Sequence, residues 1–138
     1  MMFEGRVAKT KGNKFWEVEI PLLEVYTQGR SKKDALAMIK EAIELLVEKR
    51  GFRIEVIPGR GESFKVRSKD TRTLISLLLE RQRQVHGLSV REVAARMNSK
   101  SPNAYAQYEQ GRVNPTLEKL NELLRAIDPG MEVILKVG

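Results

Sequence analysis

The dominant hydrophobic period of this chain changes near residue 70. Up to Arg67 apolar residues mostly alternate with polar ones, with a single helical interval. From Thr73 to Asp128 they recur every third or fourth position. A period of two places apolar side chains on one face of a strand, and a period near 3.6 places them on one stripe of a helix. One kind of element cannot serve both patterns, so the change predicts a sheet-based module followed by a helical one. A chain of 138 residues is long enough for two small domains. Between them Ser68-Lys69-Asp70-Thr71-Arg72 lacks apolar side chains and reads as a linker, giving domains at 1–67 and 73–138 with a linker at 68–72.

In the first module Phe3, Gly5 and Val7 share a face, Lys11-Gly12-Asn13-Lys14 reads as a turn, and Trp16, Val18 and Ile20 share a face again. Pro21 interrupts the second strand, and Val25-Tyr26-Thr27 is a short third strand ending at Gln28-Gly29. Ser31 then offers a helix N-cap with Asp34 three residues on. Ala35, Leu36, Ile39, Ala42, Ile43 and Leu46 follow at helical spacing until Gly51 closes the helix. Phe52-Ile54-Val56 and Phe64-Val66 predict a second hairpin around Pro58-Gly59-Arg60-Gly61. The expected order is βββαββ, a small sheet with one covering helix.

The second module reads as four to five helices, which makes the chain α+β overall. Leu74, Leu77, Leu78 and Val85 form the inward stripe of the first helix, which His86-Gly87 ends. Ser89 with Glu92 makes a capping box for the second, whose stripe is Val90, Val93, Ala94 and Met97. Ser101 and Pro102 fit the N-cap and first position of a short third helix that stops at Gly111. Thr116 caps the fourth, with Leu117, Leu120, Leu123, Leu124 and Ile127 on its core side. After Pro129-Gly130, Glu132 to Val137 alternates like a last strand.

Composition removes several classes of function. No cysteine means no disulfide and no thiolate chemistry, and His86 is the one histidine, so sulfur or histidine metal sites are not expected and no cofactor is implied. His86 at a helix end suits a role beside the helix dipole. Glu17 and Glu19, two apart on a strand, share a face, but two carboxylates do not make a metal-dependent nuclease site, and Asp34 has a capping task; an enzyme is not expected. No apolar run approaches membrane-spanning length and Met1 to Thr10 has no signal-peptide core, so the expected location is the cytoplasm. The net charge of +7 permits a polyanionic partner without placing it, because residues 1–67 carry an excess of +4 and residues 68–138 of +3.

Placement comes from the helices. Two short helices joined by Asn98-Ser99-Lys100, the second exposing small and amide side chains, meet the needs of a helix that enters the major groove of DNA. With Tyr105 and Tyr108 anchoring inward, Asn103, Ala106, Gln107 and Gln110 face out, and Asn or Gln can pair with adenine edges. The Ser101-Pro102 end is expected to offer free backbone N–H groups to a phosphate, and Lys100 and Arg112 flank the helix as phosphate contacts. Leu88-Ser89-Val90-Arg91-Glu92-Val93-Ala94, Tyr105-Ala106-Gln107-Tyr108-Glu109-Gln110-Gly111 and Asn114-Pro115-Thr116-Leu117 resemble, in that order, the Cro/C1 (XRE) repressor-type helix-turn-helix family. Val93 to Glu109 is one residue longer than that family's spacing, so an atypical inter-helix turn is expected. The resemblance implies sequence-specific binding to operator DNA, and reading a near-palindromic site implies a homodimer. A helical bundle used for protein contacts is the plainer alternative.

A second resemblance covers about residues 3–57. Trp16-Glu17-Val18-Glu19-Ile20-Pro21, Tyr26-Thr27-Gln28-Gly29, Ser31 and Asp34-Ala35-Leu36 are similar to the HicB-like antitoxin domain, a degenerate RNase H-like fold. Leu22 stands where that family usually has an aspartate. The resemblance implies a partner, a small HicA-like ribonuclease toxin, and an antitoxin that represses its own operon. Glu17, Glu19 and Glu24 are the surface acids that such a basic toxin would meet. Residue by residue the same stretch can be purely structural, since a Gln-Gly turn before a Ser cap is a strand-to-helix connection. A stand-alone regulator whose N-terminal domain dimerises or binds another protein is the alternative.

Overall fold

Five strands and five α-helices follow one another in the computed structural model, which describes residues 1–138. The chain divides into two compact units, Met1–Leu74 and Ile75–Gly138. This is the expected α+β architecture, a β unit followed by a helical one. No helix is long and apolar enough to cross a membrane.

In the N-terminal unit β1 (Phe3–Lys9), β2 (Trp16–Ile20), β3 (Val25–Gly29), β4 (Glu55–Pro58) and β5 (Ser63–Arg67) form one sheet in the order β3-β2-β1-β5-β4. Every pairing is antiparallel. The registers Val7↔Val18, Phe3↔Val66 and Ile20↔Val25 bring the expected alternating residues onto one face. Phe3, Val7, Val18, Ile20, Val25, Phe64 and Val66 are buried, together with Ala35, Ile39 and Ile43 of α1 (Lys32–Val47). The opposite face carries Arg6, Glu17, Glu19, Tyr26 and Gln28. Trp16, expected on the buried side, is half-buried at the end of its strand. Pro21–Leu23 form a 3-10 turn that drops Leu23 into the core at 0 % exposure.

The strand-to-helix turn is fixed by three groups. Ser31 Oγ accepts from the Asp34 N–H at 3.0 Å, and the Asp34 carboxylate accepts from the Arg30 N–H at 2.8 Å. Gly29 runs so close to α1 that a Cβ there would stand 2.4 Å from the Ala35 nitrogen. Gly29, Ser31 and Asp34 of the pattern from Gln28 to Ala35 therefore each have a local task in this turn.

Three expectations for this unit change. α1 ends at Val47, four residues before Gly51, with Glu48 in the left-handed region at φ 53° and Leu46 exposed. The chain turns early because Phe52 and Ile54 must reach the core, where both are buried. Strand β4 is shorter than the alternation from Phe52 suggested, since the Ile54 N–H donates to Glu44 Oε2 at 3.0 Å instead of to a strand. Burial opposes the charge on Glu44, but the bonds from Lys40 and Ile54 prevail and lower its pKa.

The segment expected as a free linker is built into the fold. Helix α2 (Thr71–Val85) begins inside it, capped by Asp70, whose Oδ1 accepts from the Thr73 N–H at 3.1 Å. Lys49 Nζ reaches Asp70 Oδ2 at 2.7 Å and Thr73 Oγ1 at 3.1 Å. Burial pushes the Asp70 carboxyl up, yet Lys49 and both Thr73 donors outweigh it and hold the pKa at about 2. A segment without apolar residues can thus be fixed by its polar ones.

In the C-terminal unit α3 (Val90–Arg96), α4 (Asn103–Glu109) and α5 (Leu117–Ile127) follow α2. Leu77, Leu78, Leu79, Val93, Ala94, Tyr105, Leu120, Leu123, Leu124 and Ile127 are its core. Leu117, assigned to the core side of α5, is instead 51 % exposed, and Val85 of α2 is 52 % exposed. His86 joins the ends of α2 and α5: Nδ1 lies 2.7 Å from the Gln82 carbonyl oxygen and Nε2 3.2 Å from Asp128 Oδ2. The expected last strand from Glu132 to Val137 does not form. A strand needs a row of backbone partners, whereas this segment is tied at its start by a bond from the Val133 N–H to a side chain, Asn121 Oδ1, at 2.9 Å.

Candidate nucleic-acid interface

Three left-handed residues close the first three helices of the C-terminal unit. After α2, Gly87 has φ 67°, its N–H donates to Gln84 O, and the Leu88 N–H donates back to Arg83 O. After α4, Gly111 has φ 70°, with Gly111 N–H to Tyr108 O and Arg112 N–H to Gln107 O. The same paired bonds close α3, from Asn98 N–H to Ala95 O and from Ser99 N–H to Ala94 O, but here Asn98 occupies the position at φ 58°. All three are Schellman closures, which satisfy the last carbonyls of a helix and reverse the chain sharply. The capping box at the other end of α3 is complete, with Ser89 Oγ accepting from the Glu92 N–H at 3.0 Å and Glu92 Oε1 from the Ser89 N–H at 3.1 Å.

The atypical inter-helix turn is Met97 to Pro102, six residues where Asn98-Ser99-Lys100 alone was expected. It is longer because α4 starts only after a polar knot. Ser99 Oγ donates to the Ser101 carbonyl at 2.9 Å and accepts from the Ser101 N–H at 3.3 Å, and Ser101 Oγ accepts from the Asn103 N–H at 3.2 Å. Pro102 is already helical at φ −61°, ψ −21°. The N-cap is Pro102, which makes no side-chain cap bond, one residue after the Ser101 the sequence suggested, although Ser101 Oγ still satisfies the Asn103 N–H. The expectation of free N–H groups at this end is overturned. Those of Ser101, Asn103, Ala104 and Tyr105 all have partners inside the chain, and Pro102 has none to give.

Asn98 gives a clean test of the turn. Because Cβ crowding penalises the left-handed region by about 1–2 kcal/mol for residues other than Gly and Asn, Asn98→Val should lower the stability of the helical unit by that amount. Asn98→Gly should leave it nearly unchanged. Equal urea midpoints for the two variants would show that the turn does not depend on this conformation.

Helix α4 is held from within. Tyr105 is fully buried and Tyr108 half-buried, as the anchoring role required. The Tyr105 hydroxyl makes no hydrogen bond; burial, with the nearby Glu109 carboxylate, raises its pKa. Beside it Glu109 accepts three bonds from Arg83 of α2, at 2.9 Å and 3.1 Å from Nε and 2.6 Å from Nη2, while Arg83 Nη1 donates to Leu88 O at 2.8 Å. The two side chains are 16 % and 10 % exposed. This clamp ties α4 to the end of α2, and no local pattern announces it, since its partners stand 26 residues apart. Arg96 carries no local signal either. Its Nη1 bonds the Ala126 and Ile127 carbonyls at 3.3 and 3.1 Å and joins α3 to the C-terminus of α5.

At 3.6 residues per turn, Asn103, Gln107 and Gln110 fall within about 40° of the line opposite Tyr105, and Ala106 about 80° from it. Asn103 and Gln110 are exposed, and their amide groups have no partner in the chain. Gln107 is half-buried, with one long bond from Nε2 to Ala104 O at 3.4 Å. Lys100 and Arg112, one at each end of α4, are exposed and unpaired. A ridge of amides between two free cations is what paired readout of base edges and phosphate contact require.

In the N-terminal unit the acids singled out in the sequence gather on the open face of the sheet. Glu17 and Glu19 line a shallow depression of about 390 Å³ with Arg6, Tyr26 and Gln28. Arg6 lies opposite Glu19 and is held by Glu62 at 2.9 Å. Glu24, at φ 51°, accepts from the Tyr26 hydroxyl at 2.9 Å, which links it to the same face. No group of three or more His, Asp or Glu side chains is placed to hold a metal ion.

Residues 79–128, about a third of the chain, match a family model described as helix-turn-helix. The match begins within α2 and ends at the C-terminus of α5, and it leaves the N-terminal unit outside. No curated protein matches the chain. The C-terminal unit is thus a helix-turn-helix DNA-binding domain of the kind found in transcription regulators.

Proposed function

We propose that this DNA-binding regulator is the antitoxin of a HicAB-type pair: its N-terminal unit neutralises a small HicA-like ribonuclease and its C-terminal unit represses the shared operon as a homodimer. The observation that carries this reading is the order Trp16 to Pro21, Gln28-Gly29, Ser31 and Asp34-Ala35, which folds here into adjoining strands, a tight turn and a capped helix. Glu17, exposed, and Glu19, half-buried, with Glu24 beside them through Tyr26, offer a face for a basic toxin. The stand-alone regulator is the second reading. It is favoured by the structural tasks that Gly29, Ser31 and Asp34 already perform in the turn, so these residues mark a folding unit more directly than a partner surface.

The full chain should block RNA cleavage by a small, basic, single-histidine ribonuclease encoded beside it, and the two should co-purify from native cells. Charge reversal at Glu17 and Glu19 should slow their association and change its salt dependence. Recovery of operator DNA alone, with no neighbouring small protein, would leave the stand-alone regulator as the better account. The protein itself should cleave no RNA with magnesium or manganese. Cleavage that disappears in Glu17→Gln would instead make it a nuclease.

On the DNA side, Asn103, Gln107 and Gln110 are assigned to base readout and Lys100 and Arg112 to phosphates. Gln107→Ala should reduce discrimination at one base pair by about 1–3 kcal/mol, whereas Arg112→Ala should weaken binding to all sequences alike and lower the salt slope. Equal losses on operator and random duplexes for Gln107→Ala would shift the readout to another residue of α4.

A further inference from the structure

The positive charge of the N-terminal unit is not spread evenly. The register pairs Lys9 with Trp16 and Trp16 with Gly29, so the turn after β1, the turn after β3 and the start of α1 share one end of the sheet. The turn between β4 and β5 lies there too, because the Val7 N–H donates to Glu62 O and Lys32 Nζ donates to Gly61 O at 2.8 Å. That end collects Lys9, Lys11, Lys14, Arg30, Lys33 and Arg60, all six exposed and none of them in an ion pair. The four paired cations of the unit are others: Arg6, Lys40, Lys49 and Arg67.

The acids at this end are already engaged. Asp34 accepts from the Arg30 backbone N–H, and Glu62 pairs with Arg6. The next row inward adds only Glu17, on the open face. A run of charge is often just a solvated surface. Here, however, three separate chain segments converge to put six uncompensated cations at one end of the sheet, a local positive potential that favours a polyanion. Six cations spread over three segments carry more charge than a single small anion neutralises, and a chain of phosphates supplies one charge after another. The basic end also carries Phe15, 38 % exposed between Lys14 and Trp16.

We infer that this basic end of the N-terminal sheet is a second nucleic-acid contact, which binds the phosphate backbone without reading sequence and independently of α4. Each phosphate that is no longer neutralised should lower the slope of log K against log salt by about 0.9 on duplex DNA or about 0.7 on a single strand. At about 0.1 M salt, about 0.9 of slope corresponds to roughly an eightfold fall in affinity.

The experiment uses the full chain, a random duplex of about 20 base pairs lacking any operator, and a single-stranded RNA of about 12 nucleotides, with binding followed by fluorescence anisotropy over a salt series. The triple variant Lys11→Gln, Lys14→Gln, Arg30→Gln should lose up to about 3 units of slope on one or both probes. A loss on the duplex alone assigns the contact to DNA. A loss on the RNA alone assigns it to a single strand, with Phe15 as the stacking surface. The charge-keeping triple Lys11→Arg, Lys14→Arg, Arg30→Lys should retain the parent slope, which separates charge from damage to the fold. Neither probe carries an operator, so operator discrimination by α4 is a separate readout, and failure of the α4 assignment and failure of this one are told apart. Unchanged slopes on both probes for the glutamine variant would overturn the inference, as would equal losses in the glutamine and charge-keeping triples.

Discussion

Replacing Glu109 by Ala is expected to destabilise the helical unit by about 3–5 kcal/mol, a large part of the roughly 5–15 kcal/mol that holds a small domain together. The reason lies less in the strength of the ion pair than in what remains once it is broken. Arg83 is 16 % exposed, and Glu109 takes three of the four bonds its guanidinium makes. Those bonds raise the Arg83 pKa further, so the group cannot escape by losing its proton. Removing the carboxylate leaves a buried cation beside an unbonded Tyr105 hydroxyl. Replacing both partners, Arg83→Met with Glu109→Leu, should recover most of the loss, since apolar pairs of similar volume commonly substitute for buried ion pairs. Chemical unfolding measures both variants. A loss below about 1 kcal/mol for Glu109→Ala would show that water reaches Arg83 easily, as at an exposed ion pair. The position of α4 would then rest on Tyr105 alone.

What the sequence made legible was whatever is encoded within a few residues. The caps at Ser31, Ser89 and Thr116 all act as their spacing predicts, because a cap is a bond between neighbours. The alternation in β1, β2 and β5 marks the buried face, and with Tyr105 buried, Asn103 and Gln110 stand exposed while Ala106 and Gln107 are half-buried. The bonds that stayed illegible have one common cause. The Arg83–Glu109 clamp, the Arg96 bonds to α5 and the Lys49–Asp70–Thr73 cluster join residues between 21 and 31 positions apart, and a charged residue carries no mark of a distant partner. For the same reason Ser68 to Arg72 looks like a tether. Asn98 is a local case: asparagine, like glycine, enters the left-handed region readily, so a third helix closure beside Gly87 and Gly111 is encoded there without a glycine to announce it. The tail departs in the opposite direction, because its alternation is real while its strand partner lies nowhere in the chain.

That missing partner leads to the remaining expectation. Val133, Leu135 and Val137 would share one face of an extended tail and Ile134 the other, and Ile134, Leu135 and Val137 stand 86 %, 69 % and 97 % exposed. Apolar side chains in a run of this kind favour burial at about 25 cal/mol per Å², and an extended segment outside any sheet can supply the row of donors and acceptors that a second strand needs. A homodimer in which this segment pairs with a second copy would satisfy both demands. It would also set two recognition helices on one near-palindromic operator, because one short helix reads too few base pairs for useful specificity. Deleting residues 131–138 should therefore give monomers in sedimentation and reduce operator affinity at least about 100-fold, with little change on random duplexes, for which specific and non-specific binding commonly differ by about 10³–10⁷. Leu135→Lys keeps the chain length and the Asn121 bond to Val133 and should produce the same loss through the apolar face alone. A truncated protein that remains dimeric and holds its operator would place the dimer contact elsewhere and leave the tail as an exposed end.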